Sequence, residues 1–185
     1  LNIMTILPIQ QISEEDQALF GANLYHLAQL KRAGLPVADG IAVSPPDFLL
    51  QTVIKHFQNS SHEVFEQKLE LVKTEIFSIT PPKELEKKVW QRMLKSWMET
   101  IKARIWAHGF TEGLTLNLQA QTVFLNSDGS QISAYLDTDS SEVVLKTEAK
   151  IGMQELEQIK NIVKEANKKL YLPQVYTFLN SKKLV

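Results

Sequence analysis

Histidine is the residue type in this sequence best suited to chemistry near neutral pH, because imidazole can bind a metal or transfer a proton. No two histidines show the H-x-x-x-H spacing that binds zinc from one helix face, and no cluster of acids and histidines surrounds them. The G-x-S-x-G and P-loop patterns are also absent from the sequence. We therefore assign the histidines to surface positions or helix faces and predict no metal site. The four histidines are His26, His56, His62 and His108.

Tryptophans and a polar row are the other side chains that could contact a ligand. Trp90, Trp97 and Trp106 fall along one predicted helix, and an aromatic stripe of this kind is typical of a buried core. Residues 114–121 alternate between apolar and polar, a period of two that predicts a half-buried strand. We interpret its polar side as an exposed sheet face. The apolar members are Leu114, Leu116, Leu118 and Ala120, and the polar members are Thr115, Asn117, Gln119 and Gln121.

The composition limits the expected partners. The chain has 185 residues, 44% of them hydrophobic, a net charge of −1 and no cysteine. Acids and lysines are interspersed, so no basic face for nucleic acid or membrane is expected, and no apolar run reaches the ~20 residues of a membrane helix. The lack of cysteine excludes disulfides and fits a reducing cytoplasm. Because the chain stops within a strand-like pattern, we expect it to be a piece of a longer protein with further domains.

The elements that position these residues begin with a strand over 5–9, where Pro8 indicates a sheet edge. Ser13 and Asp16 resemble a capping box. Apolar spacing predicts a helix over 20–33, either joined to the preceding helical segment or broken at Gly21.

Gly34 is the expected C-cap of this helix, and Pro36 prevents the helix from resuming. A turn at Asp39-Gly40 and a strand over 41–43 follow. Ser44 then caps the next predicted helix, with Pro45 at its first position.

The rest of the chain is first helical and then rich in strands. Helices are predicted over 45–57, 62–77, 80–107, the last capped by Thr80, and 153–170. Strands are predicted over 114–120, 132–136, 143–145 and 174–179, with a hairpin turn at 126–129.

Residues 21–43 also resemble a known family. Gly21-Ala22-Asn23-Leu24 matches the end of a G-G-K-G-A-N-L motif, and residues 33–37 with 40–43 match A-G-[LF]-P-V-P-x-G-F-V-V. Both motifs belong to the N-terminal nucleotide-binding domain of phosphoenolpyruvate synthase and pyruvate phosphate dikinase, and they recur here in order at the right separation. The resemblance implies an ATP-grasp-type fold from a family that phosphorylates an enzyme histidine and then makes phosphoenolpyruvate.

Several phosphate-site residues of that family are replaced in this chain. Phe20 stands where the family has a lysine, Tyr176 stands where it has a glutamate on the magnesium side, and Lys146 replaces an acid of a third strand. The strand V-R-S-S-A, whose arginine contacts ATP phosphates, is missing, and we interpret this as a deletion that fuses two helices. The resemblance therefore implies a domain that lacks phosphoryl transfer on its own and for which magnesium is not expected.

The candidate nucleotide contacts are Gly21, Asn23 and Gln119. Gly21 and Asn23 either keep a residual phosphate-side loop or serve as a helix–helix contact and a solvated side chain, and we favour the second alternative. Gln119 faces either a bound adenine or solvent, and these two alternatives are equally weighted.

We predict an α+β chain with a truncated ATP-grasp-like fold, in which N-terminal helices pack on a mainly antiparallel sheet. A single domain over 1–185 would contain a helical part at about 13–109, a β-meander at about 113–148 and a C-terminal helix and strand at about 153–185. The predicted function is that of a nucleotide-binding-type domain, with ATP as its candidate ligand and no catalytic residue assigned. The alternative is a non-catalytic interaction or scaffold module derived from the same family.

Overall fold

The computed structural model shows an α+β protein, so the predicted class is confirmed. It describes residues 4–58, 62–109, 116–125, 131–147, 150–171, 174–179 and 182–185. The helices are α1 Gln17–Phe20, α2 Ala22–Arg32, α3 Asp47–Phe57, α4 Phe65–Phe77, α5 Lys87–His108 and α6 Met153–Leu170. The strands are β1 Ile6–Pro8, β2 Gly40–Val43, β3 Gln121–Phe124, β4 Ile132–Asp137, β5 Glu142–Lys146 and β6 Tyr176–Phe178.

The chain divides into two compact units. The first, which we call the helical unit, comprises Leu1–Thr5 and Val43–Gln121 and contains α3, α4 and α5. The second, the sheet unit, comprises Ile6–Ala42 and Thr122–Val185. In sequence, most of the helical unit is therefore an insertion between the two stretches of the sheet unit.

In the helical unit, α4 packs against both α3 and α5 through apolar stripes at helical spacing. The rings of Phe57 and Phe65 lie 5.6 Å apart, and Phe65 makes an edge contact with Trp106 at 5.2 Å between centroids. The predicted burial of the tryptophans is confirmed at Trp90 and Trp97 but is wrong at Trp106, which is 60% exposed. Burial of each large apolar side chain contributes roughly 1.5–3 kcal/mol.

The predicted strand over 114–120 is wrong where the structure describes it, because residues 116–120 are irregular and β3 begins only at Gln121. The Trp97 indole N–H donates to the Gln119 carbonyl at 2.8 Å, and Gln121 Nε2 donates to the Met93 carbonyl at 3.1 Å. These bonds tie the segment to α5 rather than to a neighbouring strand. Leu114 lies outside the described residues.

Pairs of prolines delay two predicted helix starts. Proline holds the residue before it in an extended conformation, so Pro45 before Pro46 cannot begin a helix, and α3 starts at Asp47. The predicted cap at Ser44 is therefore wrong. Its hydroxyl instead accepts a hydrogen bond from the Thr5 N–H at 2.9 Å.

The predicted cap at Thr80 is also wrong. Pro82 disfavours a helical conformation at Pro81, Leu85 N–H then donates to Pro82 O at 3.1 Å in a turn, and α5 begins at Lys87 after Glu86. From there α5 is unbroken to His108. The predicted long helix without an internal strand is thus confirmed over this range.

The sheet unit contains two three-stranded sheets, ordered β1-β2-β3 and β5-β4-β6. The predicted edge position of the strand with Pro8 is confirmed, because β1 flanks the central β2. In the second sheet, β4 pairs antiparallel with both β5 and β6. The predicted hairpin turn at 126–129 lies outside the described residues, but β3 and β4, which flank it, belong to different sheets. The expected hairpin pairing is therefore wrong.

One face of the second sheet is buried against α6. Ala134 and Tyr176 are directly opposite on β4 and β6, and Ile159, Val163 and Ala166 of α6 join them in one apolar cluster. The bounds predicted for this helix, 153–170, are confirmed because its apolar residues keep a period near 3.6 throughout. The core of the sheet unit therefore lies between α6 and this sheet, with Leu30 of α2 contributing to it.

Two glycines define the ends of α2. Gly21 adopts φ +90° and separates α1 from α2, which decides the alternative left open by the sequence in favour of a break. Gly34 also has φ +90°, and here Gly34 N–H donates to Lys31 O and Leu35 N–H donates to Leu30 O, each at 3.1 Å. This pair of bonds is a Schellman motif, so the predicted glycine C-cap is confirmed.

Gly40 permits a close approach between β2 and β3, and replacing it tests the first sheet. A Cβ at this position would lie 2.5 Å from the Val123 carbonyl oxygen and 3.1 Å from Phe124 Cα. Because both are backbone atoms in a paired strand, Gly40→Ala is expected to destabilise the protein by about 1–3 kcal/mol. Urea denaturation followed by circular dichroism measures this change.

Gly152→Ala is the matched control, since no described atom lies within 4 Å of its Cβ position and it only precedes α6. A loss below about 1 kcal/mol is expected there. Equal effects of the two substitutions would show that the close approach of β2 and β3 does not govern stability.

Candidate functional site

The glycine-containing segment predicted to contact phosphate lies at the junction of α1 and α2. Gly21 N–H donates to the Gln17 carbonyl at 2.8 Å, and both Gly21 and Asn23 are exposed. No described atom beyond its chain neighbours lies within 4 Å of a Cβ built on Gly21. The alternative of a helix–helix contact at Gly21 is therefore wrong, whereas the solvated position of Asn23 is confirmed. Gly21 is required for its left-handed backbone rather than for close packing.

Phe20, which the resemblance predicts to replace a lysine, is only 5% exposed. Its ring belongs to the core, so this position presents neither a charge nor a polar group to a ligand.

Gln119 belongs to the helical unit, whereas Gly21 and Asn23 belong to the sheet unit. Its side chain is exposed, and its carbonyl is already used by Trp97. It does not lie on a strand face. Whether its side chain faces a bound adenine or solvent stays a prediction.

Tyr176, which the resemblance predicts to replace a glutamate, is buried in the core of the sheet unit. Its side chain is 4% exposed, and its hydroxyl donates a hydrogen bond to Asn167 Oδ1 at 2.7 Å. Burial raises the pKa of the Tyr176 phenol to about 12. The phenol is therefore protonated at neutral pH, and it acts as a hydrogen-bond donor inside the protein rather than as an anionic metal ligand.

The face of the second sheet opposite α6 carries polar and aromatic side chains whose proximity could not be predicted from the sequence. Ser133 is directly opposite Thr177 on one side and Lys146 on the other, so all three side chains share this face. Tyr135 lies on the same face, and Lys146 Nζ is 5.8 Å from the centroid of its ring. This distance is within cation–π range. We call these four side chains the outer-face group.

The signal for the outer-face group was present in the sequence. Ser133 and Tyr135 alternate with the buried residues Ile132 and Ala134, which places them on the opposite face of the strand. What the sequence could not supply was the register with β5 and β6 that brings Lys146 and Thr177 beside them.

Acids lie at one end of this face. Asp137 and Glu142 are directly opposite one another, and Asp137 Oδ1 accepts a hydrogen bond from the Asp139 N–H at 3.0 Å. Within the described ranges, no group of three or more histidine, aspartate or glutamate side chains is placed to hold a metal ion.

One histidine has a defined structural role. His56 Nε2 and Lys55 Nζ contact the same Glu75 oxygen, at 2.8 and 3.0 Å, so a charged cluster links α3 to α4. Lys55 and then His56 hold the pKa of the Glu75 carboxyl below its usual value. The expectation of a helix-face position is confirmed for His56.

Comparison with known proteins gives no family model, curated protein or solved structure that matches this chain. For the part of the chain that the structure describes, no helix combines the length and the apolar character needed to cross a membrane. The outer-face group and the positions of Phe20 and Tyr176 are therefore the features of this chain that bear on its function.

The raised pKa of Tyr176 predicts how stability depends on alkaline pH. The folded state holds the phenol proton up to a pKa of about 12, compared with the ordinary value of 10.0. The stability linked to this proton is therefore complete below pH 10.0 and decreases as the pH rises towards 12. Chemical denaturation between these pH values should show a decline that is smaller in Tyr176→Phe.

Absorbance titration of the phenolates provides an independent measurement of the same group. The difference between the wild-type and Tyr176→Phe curves should contain one phenol that ionises near pH 12. A difference curve centred at 10.0 would show that the hydroxyl is not buried in solution.

Proposed function

We propose that this chain is a nucleotide-binding-type domain, similar to the ATP-grasp-like domain of the phosphoenolpyruvate synthase family, that lacks phosphoryl-transfer activity on its own. The observation that supports nucleotide binding is the outer-face group, in which an aromatic ring, a cation and two hydroxyl groups share one sheet face. The absence of cysteine supports a reducing cytoplasm as the location, which we include in the proposal.

Each member of the outer-face group has a chemical counterpart in a nucleotide. The ring of Tyr135 offers a surface on which a purine stacks, an interaction that any base can make. Lys146 is exposed and supplies a point charge for a phosphate group. Ser133 and Thr177 add hydroxyl groups that donate to or accept from a ribose. Because none of these contacts uses a metal, binding should be independent of magnesium.

Phosphoryl transfer has stricter requirements than binding. The reaction depends on cations and metal ions that position the phosphates and neutralise the developing charge. Phe20 is buried and uncharged, and Tyr176 keeps its proton and donates a hydrogen bond to Asn167 Oδ1. These two replacements support a domain that holds a nucleotide without transferring its phosphate.

An interaction or scaffold module is the second candidate function, and exposed apolar side chains of the helical unit favour it. Leu50 and Ile54 are 41% and 40% exposed on α3, one helical turn apart. Leu71 of α4 is 49% exposed. Adjacent apolar side chains on one helix face are a common feature of surfaces that bind another protein.

Titration calorimetry with ATP tests the first function. The chain should bind ATP equally with magnesium and with a chelator, and an assay for released phosphate should detect no turnover. Tyr135→Ala should weaken binding by about 5- to 150-fold, because stacking of a base on an aromatic ring contributes ~1–3 kcal/mol. Tyr135→Phe keeps the ring and should retain the affinity.

Tyr171→Ala is the matched control, since it removes a tyrosine that is 89% exposed outside the outer-face group. Its affinity for ATP should equal that of the wild type. An absence of heat with ATP would favour the interaction module, whereas magnesium-dependent turnover would contradict both functions.

A further inference from the structure

A groove beside the C-terminal half of α6 forms a second concave surface of the sheet unit, separate from the outer-face group. Its volume is about 510 Å³, within the range of small-molecule sites. Leu136 of β4 and Ser141 of the turn between β4 and β5 line one side, and polar residues of α6 line the other. All of its lining residues belong to the sheet unit.

The helix side of the groove carries more positive than negative charge. Lys164 and Lys168 are one turn apart on the same face of α6, and both line the groove together with Glu165. Glu165 pairs with Lys168 at 4.0 Å, and Lys168 also lies in the last helical turn, where a cation complements the helix dipole. The charge of Lys168 is therefore already stabilised within the protein. Lys164 has no ion-pair partner among the described residues, so its charge remains for a ligand.

The amide of Asn167 is held in one orientation. Its Oδ1 accepts the hydrogen bond from the buried Tyr176 hydroxyl at 2.7 Å. The polar part of the side chain that remains is Nδ2, which has two N–H donors. The Tyr176 hydroxyl is protonated at neutral pH and can only donate to this amide oxygen, which favours this orientation of Asn167.

The opposite side of the groove is also fixed. Ser141 has φ +59°, a left-handed conformation that is uncommon for a serine, at the end of the turn between β4 and β5. The bond from Asp139 N–H to Asp137 Oδ1 stabilises this turn. A turn that is ordered before binding reduces the entropy lost when a ligand binds.

We propose that this groove binds a small phosphate ester with hydroxyl groups, such as a sugar phosphate. Lys164 contacts the phosphate as a point charge. Asn167 Nδ2, the amide of Asn161 and the hydroxyl of Ser141 contact the sugar hydroxyls. The partial neutralisation by Glu165 selects for a ligand with one anionic group rather than for a polyanion.

The test uses nuclear magnetic resonance of the ¹⁵N-labelled full chain with glucose 6-phosphate as the probe. Saturable shifts are expected at the side-chain amides of Asn161 and Asn167 and at the backbone amide of Ser141. Glucose should cause no saturable shift, because it lacks the anion. Inorganic phosphate should bind more weakly than glucose 6-phosphate, because it lacks the hydroxyl contacts.

Lys164→Gln should weaken binding of glucose 6-phosphate at least about tenfold, as expected for the loss of a hydrogen bond to a charged group. Lys169→Gln is the matched control, since this lysine is exposed on the same helix and does not line the groove. Its affinity should change less than about twofold. Both variants replace exposed side chains, so their folding is retained.

An unchanged affinity in Lys164→Gln, shifts confined to other parts of the chain, or no saturable shift would overturn the proposal. Equal binding of glucose and glucose 6-phosphate would overturn the role of the anion, and equal binding of inorganic phosphate would overturn the role of the hydroxyl groups. Tyr135→Ala should leave these shifts unchanged, which separates this groove from the nucleotide site proposed above.

Discussion

The Schellman motif at the end of α2 is the constraint on which the arrangement of the sheet unit depends. Gly34 reverses the chain with φ +90°, and residues 36–38 then run beside the C-terminal segment, where Leu184 N–H donates to Pro36 O and Ala38 N–H donates to Leu184 O, each at 2.8 Å. Lys31, in the last turn of α2, reaches forward to the Val37 carbonyl at 3.1 Å. The reversal therefore places Val37 and Leu184 together in the core with Leu30.

Patterns within short stretches of sequence correctly predicted the helices and turns that depend on neighbouring residues. The break at Gly34, the long apolar stripe of α5 and the bounds of α6 follow from backbone freedom and a helical period, both of which can be read from neighbouring residues. The start of α5 differs from the prediction at Thr80 because Pro82 holds Pro81 out of the helical conformation, and a turn closed by Leu85 N–H and Pro82 O precedes the helix. The preference of Thr80 for a helix N-cap was therefore outweighed by the backbone restriction that Pro81 and Pro82 impose.

Pairing between distant segments could not be predicted in the same way. Residues 116–120 alternate like a strand, but the indole of Trp97 takes the Gln119 carbonyl, and the sequence does not show that competition. Likewise, the sequence shows Lys146 only as the residue that replaces an acid. Its position beside Tyr135 depends on the register of β4 and β5. The motif at Gly21 and Asn23 is continuous in the sequence, whereas the outer-face group is formed by residues from three strands of the second sheet.

The discontinuity of the sheet unit has a consequence for how the chain folds as it leaves the ribosome. The helices α3, α4 and α5 follow one another within Val43–Gln121, so their contacts become available as soon as that stretch has been synthesised. In contrast, β1, α2 and β2 emerge first but have to wait for partners beyond Thr122. During this interval the apolar side chains of Leu30 and Val37 lack their final neighbours. The first stretch of the sheet unit is therefore completed only after the second has been synthesised, and until then its unburied apolar side chains are accessible to chaperones and proteases.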